Sequence, residues 1–348
     1  MKRSFPRVAI VLLVAIGWGA WWPAVTYAQT AGSITELINA ARQEGQLTVY
    51  APSPLTRRGF DELIEAFNKK YGLSLRAQWA VSGSMTRDIA KVISEVKIGA
   101  PPSWDVQIMI EPMHFTGHAQ GVLEPFDYAR VLGTDPQLVQ PGGAALVITE
   151  QVVLPAYNTK LVASKDVPKA WEDLLDPRWK GKIAVSTATH HWARLSQLWG
   201  DEKTTQFLTR LSQQNPMLGQ SPETGQRVQS GEALIAATMQ LDVLTSIQKA
   251  GAPVALAKDV QPIIIVDWAV SVPKGAKHPN AARLFAGFMA SNEGRTPFEE
   301  RFGLSSIRQP GSPSYEYTRG KTLARLSPEF ALKIRESEIK YGKILGFQ

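Results

Sequence analysis

The 348-residue chain has no cysteine, which excludes disulfide bonds, a zinc–thiolate site and a cysteine nucleophile. It also lacks a Gly-x-Ser-x-Gly elbow, a His-Glu-x-x-His helix and a glycine-rich phosphate loop ending in lysine. The formal net charge is +7, and three of the positive charges lie in the first seven residues. The net positive charge that remains without these three residues is too small to indicate nucleic-acid binding. The composition, 44% hydrophobic and 20% charged, is typical of a globular protein. The length is roughly twice the ~150 residues expected of one domain, so we expect two compact units.

The N-terminus has the features of a secretory signal peptide. Three basic residues precede an apolar run over residues 8–25, and Ala28 follows as a small residue at a cleavage point. A membrane anchor is the alternative, because about 18 apolar residues can span a bilayer. Pro23 and the small residue after the run favour cleavage. We therefore expect residues 1–28 to be removed and the mature chain to be soluble outside the cytoplasm.

Hydrophobic periodicity predicts an α/β unit in the first part of the chain. Ser33 and Glu36 form a capping box that begins a helix. Strand patterns at 47–51, 73–81 and 105–110 then alternate with helical patterns, one of which ends at Gly72 and another of which begins at Met85. Strands and helices that alternate at this spacing indicate a parallel sheet.

A second α/β unit follows, with a strand pattern at 183–186, helices at 190–199 and 202–211, a strand at 233–238 and a helix at 243–250. Residues 146–157 and 263–272 are long extended segments without a helix, and they predict a hinge between two lobes. Ser327 caps a C-terminal helix that we expect to brace one lobe. Facing lobes of this kind create a cleft lined by strand-to-helix turns.

Several longer motifs carry a resemblance to a known family. They are the segments 45–50, 157–160, 171–184, 231–233, 272–276 and 278–282, together with Pro168. The chain resembles the extracellular solute-binding proteins of ABC importers, in the branch that includes the ferric-iron binders. The resemblance implies a type II periplasmic-binding-protein fold of two α/β lobes, each a mixed sheet flanked by helices, joined by extended hinge strands. We expect residues 33–145 with 262–310 to form lobe 1, and 146–261 with 311–348 to form lobe 2.

The most specific motif, residues 171–184, identifies the fold but not the solute. Its side chains are explained by folding and not by solute binding. The apolar anchors are Trp171, Leu174, Leu175 and Trp179, and the Asp-Pro pair at 176–177 makes a turn. The family also implies a small-molecule solute, the transmembrane subunits of an ABC permease as partners, and a monomer.

The sequence departs from the iron-binding relatives at their ligand positions. Those relatives place adjacent tyrosines after the Gly-Glu-Ala strand, whereas residues 237–242 of this chain contain no tyrosine. The first strand is followed by Pro52, Ser53 and Pro54 where the relatives place a histidine. Tyr315 and Tyr317 are not adjacent, and we predict that they lie in a loop. We therefore predict no tyrosinate iron site, no metal and no cofactor.

The predicted cleft is rich in hydrogen-bond donors where strands give way to helices. Such turns can seat an anion on the free amides of a helix N-terminus, or they can simply cap the helix. Two carboxylates, Asp242 and Asp267, either bind a cationic amine or cap and pack. The candidate ligand-binding residues are Ser53, Ser82, Gly83, Ser84, Glu111, Thr187, His190, Thr224, Gln240, Asp242 and Asp267.

Histidines occur in two pairs. His190 and His191 are adjacent at a helix start, and we expect one to face the cleft and the other to lie at the surface, because neighbours on a helix point about 100° apart. His114 and His118 have metal-ligand spacing, but no third ligand accompanies them, which favours a solvated helix face.

Two functions are consistent with these patterns. The first is a periplasmic receptor that closes on a small anionic solute, such as a phosphonate, a carboxylate or a metal chelate, and delivers it to a permease. The alternative is a secreted hydrolase that uses His190 with Glu111 or Asp267. The missing catalytic motifs favour the receptor, and no enzyme activity is expected.

Overall fold

The computed structural model describes residues 32–51, 55–81 and 83–347. The signal-peptide prediction and the candidates Ser53 and Ser82 lie outside the described residues. Among the helices that are described, none has the length and apolarity needed to cross a membrane.

The first part of the chain alternates strands and helices as predicted. Ser33 Oγ accepts from the amide of Glu36, the Glu36 carboxylate reaches back, and Gly45 ends the helix at φ +65°. The elements are α1 (Ile34–Glu44), β1 (Gln46–Ala51), α2 (Thr56–Tyr71), β2 (Arg76–Val81), α3 (Met85–Lys97), β3 (Val106–Ile110), α4 (Glu111–Ala119) and α5 (Tyr128–Leu132).

The rest of the chain contains the two long strands and a second α/β unit. The elements are β4 (Ala145–Asn158), β5 (Ile183–Ser186), α6 (His190–Trp199), α7 (Asp201–Ser212), β6 (Met217–Gly219), α8 (Ser221–Ser230), β7 (Ile235–Gln240), α9 (Leu241–Lys249), β8 (Val254–Leu256), β9 (Ile263–Ser271), α10 (Pro279–Ala290), α11 (Asn292–Phe302), α12 (Pro313–Thr318), β10 (Leu323–Ala324), α13 (Pro328–Ala331) and α14 (Ile334–Leu345).

The described strands form one mixed sheet in the order β2-β1-β3-β9-β4-β7-β5-β6, with β10 beside β9 and β8 beside β4. β1 is parallel to β2 and β3, and β5 is parallel to β6 and β7. The two long strands β4 and β9 are antiparallel to each other and join these parallel sets. The fold is therefore the mixed α/β arrangement that the sequence predicts.

Two large hydrophobic cores lie on either side of the sheet centre. The first core contains Leu146 and Trp268, and the second contains Val152 and Ile265, so β4 and β9 contribute to both. The change from one core to the other falls near Glu150 on β4 and its register partner Asp267 on β9. We call this point the crossover.

The motif at 171–184 packs into the second core. Trp171 is fully buried and Trp179 is 4% exposed. The indole of Trp171 also donates to the carbonyl of Pro262, 2.9 Å away, at the start of β9. The reading of these residues as apolar anchors is confirmed.

Several boundaries differ from the prediction. β2 begins at Arg76 and β7 at Ile235, two or three residues later than expected. The C-terminal helix is divided into α13 and α14, which are separated at Leu332 and Lys333. Tyr315 and Tyr317 lie in the helix α12 rather than in a loop, so that prediction was wrong.

Candidate functional site

Strand ends from both cores meet at the crossover. β3 ends at Ile110, opposite Trp268 of β9, and α4 begins directly afterwards with Glu111. β7 ends at Gln240, opposite Val153 of β4, and α9 follows. The turns of the two parallel sets thus converge on the same short stretch of β4 and β9.

The centre of the crossover is an ion-pair network. Glu150 is 1% exposed, pairs with Arg308 and accepts from the amide of Ile307 at 3.2 Å. Arg325 donates to Asp267 at 2.7 Å and lies 3.4 Å from Glu150. Asp267, a predicted ligand-binding residue, is therefore already engaged by an arginine.

A second buried ion pair lies beside the first. The Nε of Arg194, on α6, donates to Glu111 Oε1 at 3.1 Å, and its Nη2 donates to the same oxygen. The two side chains are 0% and 1% exposed. Burial raises the pKa of the Glu111 carboxyl to about 7, with Arg194 opposing the shift and Asp267 adding to it. Glu111 Oε2 has no hydrogen-bond partner among the described residues.

The adjacent histidines differ from the prediction. His191 is fully buried rather than at the surface, and burial lowers its pKa to about 3. His190 is partly buried; burial, His191 and Arg194 together hold its pKa well below the usual range. The two rings are in contact, with centroids 4.3 Å apart. Both side chains are therefore neutral at neutral pH.

Asp242 lies in the first turn of α9. Its Oδ1 accepts from Gln151 Nε2 of β4 at 2.9 Å. Burial raises its pKa to about 6, although Gln151 and backbone amides of α9 lower it. Gln240, the residue before α9, provides no side-chain cap for the helix. Asp242 therefore caps its own helix and leaves less of that N-terminus free for an anion.

The turns after β5 and β6 are joined to each other. The amide of Thr187 donates to the carbonyl of Gly219 at 3.0 Å, and the hydroxyls of Ser186 and Ser221 are 2.8 Å apart. Thr187 lines a cavity of about 1,090 Å³, together with Thr189 and Gln220 from these turns and several residues of α14. That volume is sufficient for a small solute.

The end of α6 at this cavity is not capped by a side chain. Thr189 is the N-cap residue, but its hydroxyl makes no capping hydrogen bond. α6 is ten residues long, so its N-terminus carries the partial positive charge of a helix dipole. The amides of Thr189, His191 and Trp192 donate to backbone carbonyls of the same turn. The turn therefore offers hydroxyl donors and the positive end of the helix dipole, with most of its amides already engaged.

A family model gives the decisive comparison. Residues 47–304 match the model described as bacterial extracellular solute-binding protein. The chain belongs to this family. Members bind solutes and are not catalytic, which confirms the expectation of a binding protein and excludes the hydrolase alternative.

Curated relatives of this solute-binding protein cover most of its length. An uncharacterized protein of Haemophilus influenzae is 32% identical over 278 residues, which is 74% of this chain and 76% of the relative. A Salmonella typhi protein named as a candidate 2-aminoethylphosphonate-binding periplasmic protein is 23% identical over 300 residues, or 81% and 84% of the two chains.

Solved structures show the same fold. Iron-bound HitA from Pseudomonas aeruginosa superimposes with a TM-score of 0.71 at 20% identity, over 86% of this chain and 99% of that chain. AfuA from Actinobacillus pleuropneumoniae, with fructose-6-phosphate bound, gives 0.69 at 21% identity, over 87% and 99%. The periplasmic-binding-protein fold is thereby confirmed, with ferric-binding proteins among the structural neighbours.

The other predicted ligand-binding residues of this solute-binding protein lie in different parts of the structure. Thr224 is fully buried in α8, where its hydroxyl donates to the carbonyl of Ser221, so no surface of it faces a solute. Gly83 and Ser84 lie on an exposed turn before α3, and the Ser84 amide donates to Asp88. The structure thus groups Glu111, His190 and Asp267 at the crossover, and it sets Gly83 and Ser84 on a separate turn.

Sequence reasoning missed the arginines of the site. Arg194, Arg308 and Arg325 contact the predicted acids or their neighbours. Only Arg194 had a usable signal, since it lies four residues after His190 and therefore on the same helix face.

The described residues contain no group of three or more histidine or acidic side chains placed to hold a metal ion. His114 is 1% exposed, and its ring nitrogens contact Ser271 Oγ and the carbonyls of Met109 and Ala269. The prediction of a solvated helix face was therefore wrong for His114, although His118 is exposed.

Proposed function

We propose that the protein is the periplasmic substrate-binding component of an ABC importer and that its solute is a small anion bearing a phosphonate, phosphate or carboxylate group. In this proposal the signal peptide 1–28 is removed, and the mature monomer closes on the solute and delivers it to the permease. The lobes are residues 33–145 with 262–310, and 146–261 with 311–348. Bending of β4 and β9 near Glu150 and Asp267 accounts for closure.

The observation that carries the proposal is the hydroxyl-lined turn at the start of α6. Thr187 and Thr189 offer hydroxyl donors there, and the helix end is not capped by a side chain. Arg335, Glu338 and Lys343 of α14 line the same cavity, and because Arg335 pairs with Glu338 at 3.2 Å, Lys343 is the residue that adds positive charge. Hydroxyl donors, the positive end of a helix dipole and a lysine together favour an anionic group.

The printed names of the relatives help to choose which compounds to test as solutes. One relative is named for 2-aminoethylphosphonate, and one structural neighbour holds a sugar phosphate. Both compounds present a tetrahedral phosphorus group with several acceptor oxygens. HitA is iron-bound, but the sequence here lacks the adjacent tyrosines of the iron binders. A phosphorus oxyanion is therefore the first choice.

Calorimetric titration of the mature protein tests the proposal. The probes are 2-aminoethylphosphonate, fructose 6-phosphate, inorganic phosphate and ferric citrate. We expect at least one phosphorus compound to bind with a dissociation constant of about 1 μM, equivalent to about 8 kcal/mol. Ferric citrate should give no tyrosinate colour. Ferric binding with a strong visible band, and no binding of the three phosphorus compounds, would overturn the proposal.

A matched pair of substitutions tests whether the solute binds at the α6 turn. Thr187→Val keeps the β-branched shape and removes the hydroxyl, so affinity for the bound phosphorus compound should fall about 10-fold. Thr209→Val makes the same change on the exposed face of α7 and should leave affinity unchanged. Equal affinities for the two variants would exclude the α6 turn as the site.

A further inference from the structure

The tautomer of His190 is fixed by the residue one turn further along its helix. Arg194 Nη1 lies 2.9 Å from His190 Nδ1 and also 2.9 Å from the His190 carbonyl oxygen. A guanidinium group can only donate hydrogen bonds, so Nδ1 must accept and cannot carry a proton. In a neutral imidazole the proton then resides on Nε2.

Arg194 is held in place by an acid on a different helix. Its Nε and Nη2 both donate to Glu111 Oε1 at the start of α4, and neither side chain is more than 1% exposed. The guanidinium therefore has no freedom to turn away from His190. Because α4 follows β3 and α6 follows β5, this chain of contacts connects turns from the two parallel strand sets.

The Nε2 atom of His190 is left free by these contacts. It makes no hydrogen bond among the described residues, and it is not one of the buried polar atoms without a partner. It is therefore accessible to solvent. His190 directly follows the turn of Thr187 and Thr189 at the start of α6. It does not line the cavity of those two threonines, and its ring lies beside them on the crossover side, against Arg194 and His191.

We propose that His190 is a specificity-determining residue, which presents a fixed Nε2–H donor to an acceptor oxygen of the solute, and that Arg194 is the positioning residue that sets this tautomer. The inference rests on the proposed function, because it assumes that a solute bound at the α6 turn extends to the crossover side of that turn, where His190 lies. Since Nδ1 is used by Arg194, the imidazole offers the solute a donor and no acceptor. It therefore favours an oxyanion over an ammonium or hydroxyl donor at that position.

The first test needs no solute. The chain has five histidines, and a histidine-labelled ¹⁵N sample at pH 7 gives ring correlations that distinguish the two neutral tautomers and the imidazolium. The His190 signals are assigned as those lost in the His190→Gln variant. We expect the Nε2–H tautomer. The Nδ1–H tautomer or an imidazolium would overturn the inference, whatever the outcome for solute binding.

The second test uses two amides of different length. In His190→Gln the amide NH₂ reaches the position of Nε2 and can replace the donor, whereas in His190→Asn the amide stops near the position of Nδ1. Titration with 2-aminoethylphosphonate and fructose 6-phosphate should show affinity within about 3-fold of wild type for the Gln variant. The Asn variant should lose roughly 10- to 100-fold, the range for a hydrogen bond to a charged group.

A control substitution is His118→Asn on the exposed face of α4, which should bind as wild type does. Equal affinity of the Asn and Gln variants would overturn the role of the Nε2 donor, even with the expected tautomer. If neither compound binds wild type, the proposed function and the solute role of His190 fail together. The ¹⁵N spectrum then reports only the tautomer that Arg194 fixes.

Discussion

Replacement of Glu111 by glutamine should change how the stability of the protein depends on pH. Glu111 is 1% exposed and faces Arg194 of α6, with Asp267 of β9 close enough to influence it. Burial raises the carboxyl pKa from 4.5 to about 7. The folded protein therefore holds a proton on Glu111 over a pH range in which the unfolded chain has released it.

The sign and the size of the expected change in the free energy of unfolding follow from the linkage between proton binding and folding. Because the folded pKa is the higher one, this group's contribution to the free energy of unfolding is largest below pH 4.5 and declines as pH rises to about 7. One pKa unit corresponds to about 1.4 kcal/mol, so the full shift corresponds to about 3 kcal/mol. Glutamine cannot titrate, so the variant should gain up to about 3 kcal/mol relative to wild type between pH 4.5 and pH 7.

Urea denaturation at several pH values between 4.5 and 7.5 measures this difference directly, with the m-value checked for constancy. Loss of the partner charge of Arg194 adds a constant offset at high pH, but it does not reverse the trend. Glu65→Gln on the exposed surface of α2 is the control and should follow the wild-type curve. If the variant loses stability relative to wild type as the pH rises, the carboxylate is stabilised by Arg194 more than it is destabilised by burial, and the reasoning is refuted.

Two other substitutions test separate features of the fold. Burial lowers the pKa of His114 from 6.5 to about 4, so its contribution to the free energy of unfolding is complete above pH 6.5 and is lost as the pH falls towards 4. In urea unfolding, wild type should therefore lose up to about 3 kcal/mol relative to His114→Gln over that pH range. Parallel stability curves for the two proteins would contradict this. Trp171→Ala removes a fully buried indole from the second core and should cost about 3–5 kcal/mol, measured as a lower urea midpoint, whereas a loss below 1 kcal/mol would show that the site is not tightly packed.

Elements with local signals could be predicted from the sequence. The start of α1 was defined by Ser33 and Glu36, whose side chains cap the helix within four residues. The two long strands β4 and β9 could be predicted because their 14 and nine residues lack helical periodicity. Such features depend on neighbours in sequence, which the printed chain supplies directly.

The boundaries of elements were less predictable where tertiary packing decides them. Leu73 and Leu75 are buried and alternate with polar residues, yet they precede β2, because the ladder with β1 begins only at Arg76. The C-terminal helix is interrupted at Lys333, where φ is −108° and ψ is −2°. No glycine or proline marks that interruption, so hydrophobic periodicity alone predicts one helix.

Partners distant in sequence could not be predicted at all. Glu111 and Arg194 are 83 residues apart, and Glu150 and Arg325 are 175 apart. A charged residue in an isolated sequence is more often exposed, so no local pattern indicates that these four side chains meet at the centre of the molecule. The burial of His191 could not be predicted either, because it depends on how α6 packs in the fold and not on the adjacent residue His190.

The contacts at the crossover bear on how an anion can be bound. Arg194, Arg308 and Arg325 each contact an acid, and these acids are Glu111, Glu150 and Asp267. Breaking a buried pair to capture a solute leaves an uncompensated charge, which costs about 3–5 kcal/mol and would consume much of a micromolar affinity. The arginines therefore serve to hold the strand ends and His190 in place. The groups left for the solute are the threonine hydroxyls, the positive end of the α6 dipole and the Nε2–H group of a neutral histidine, and such neutral groups bind an anion without first breaking an existing ion pair.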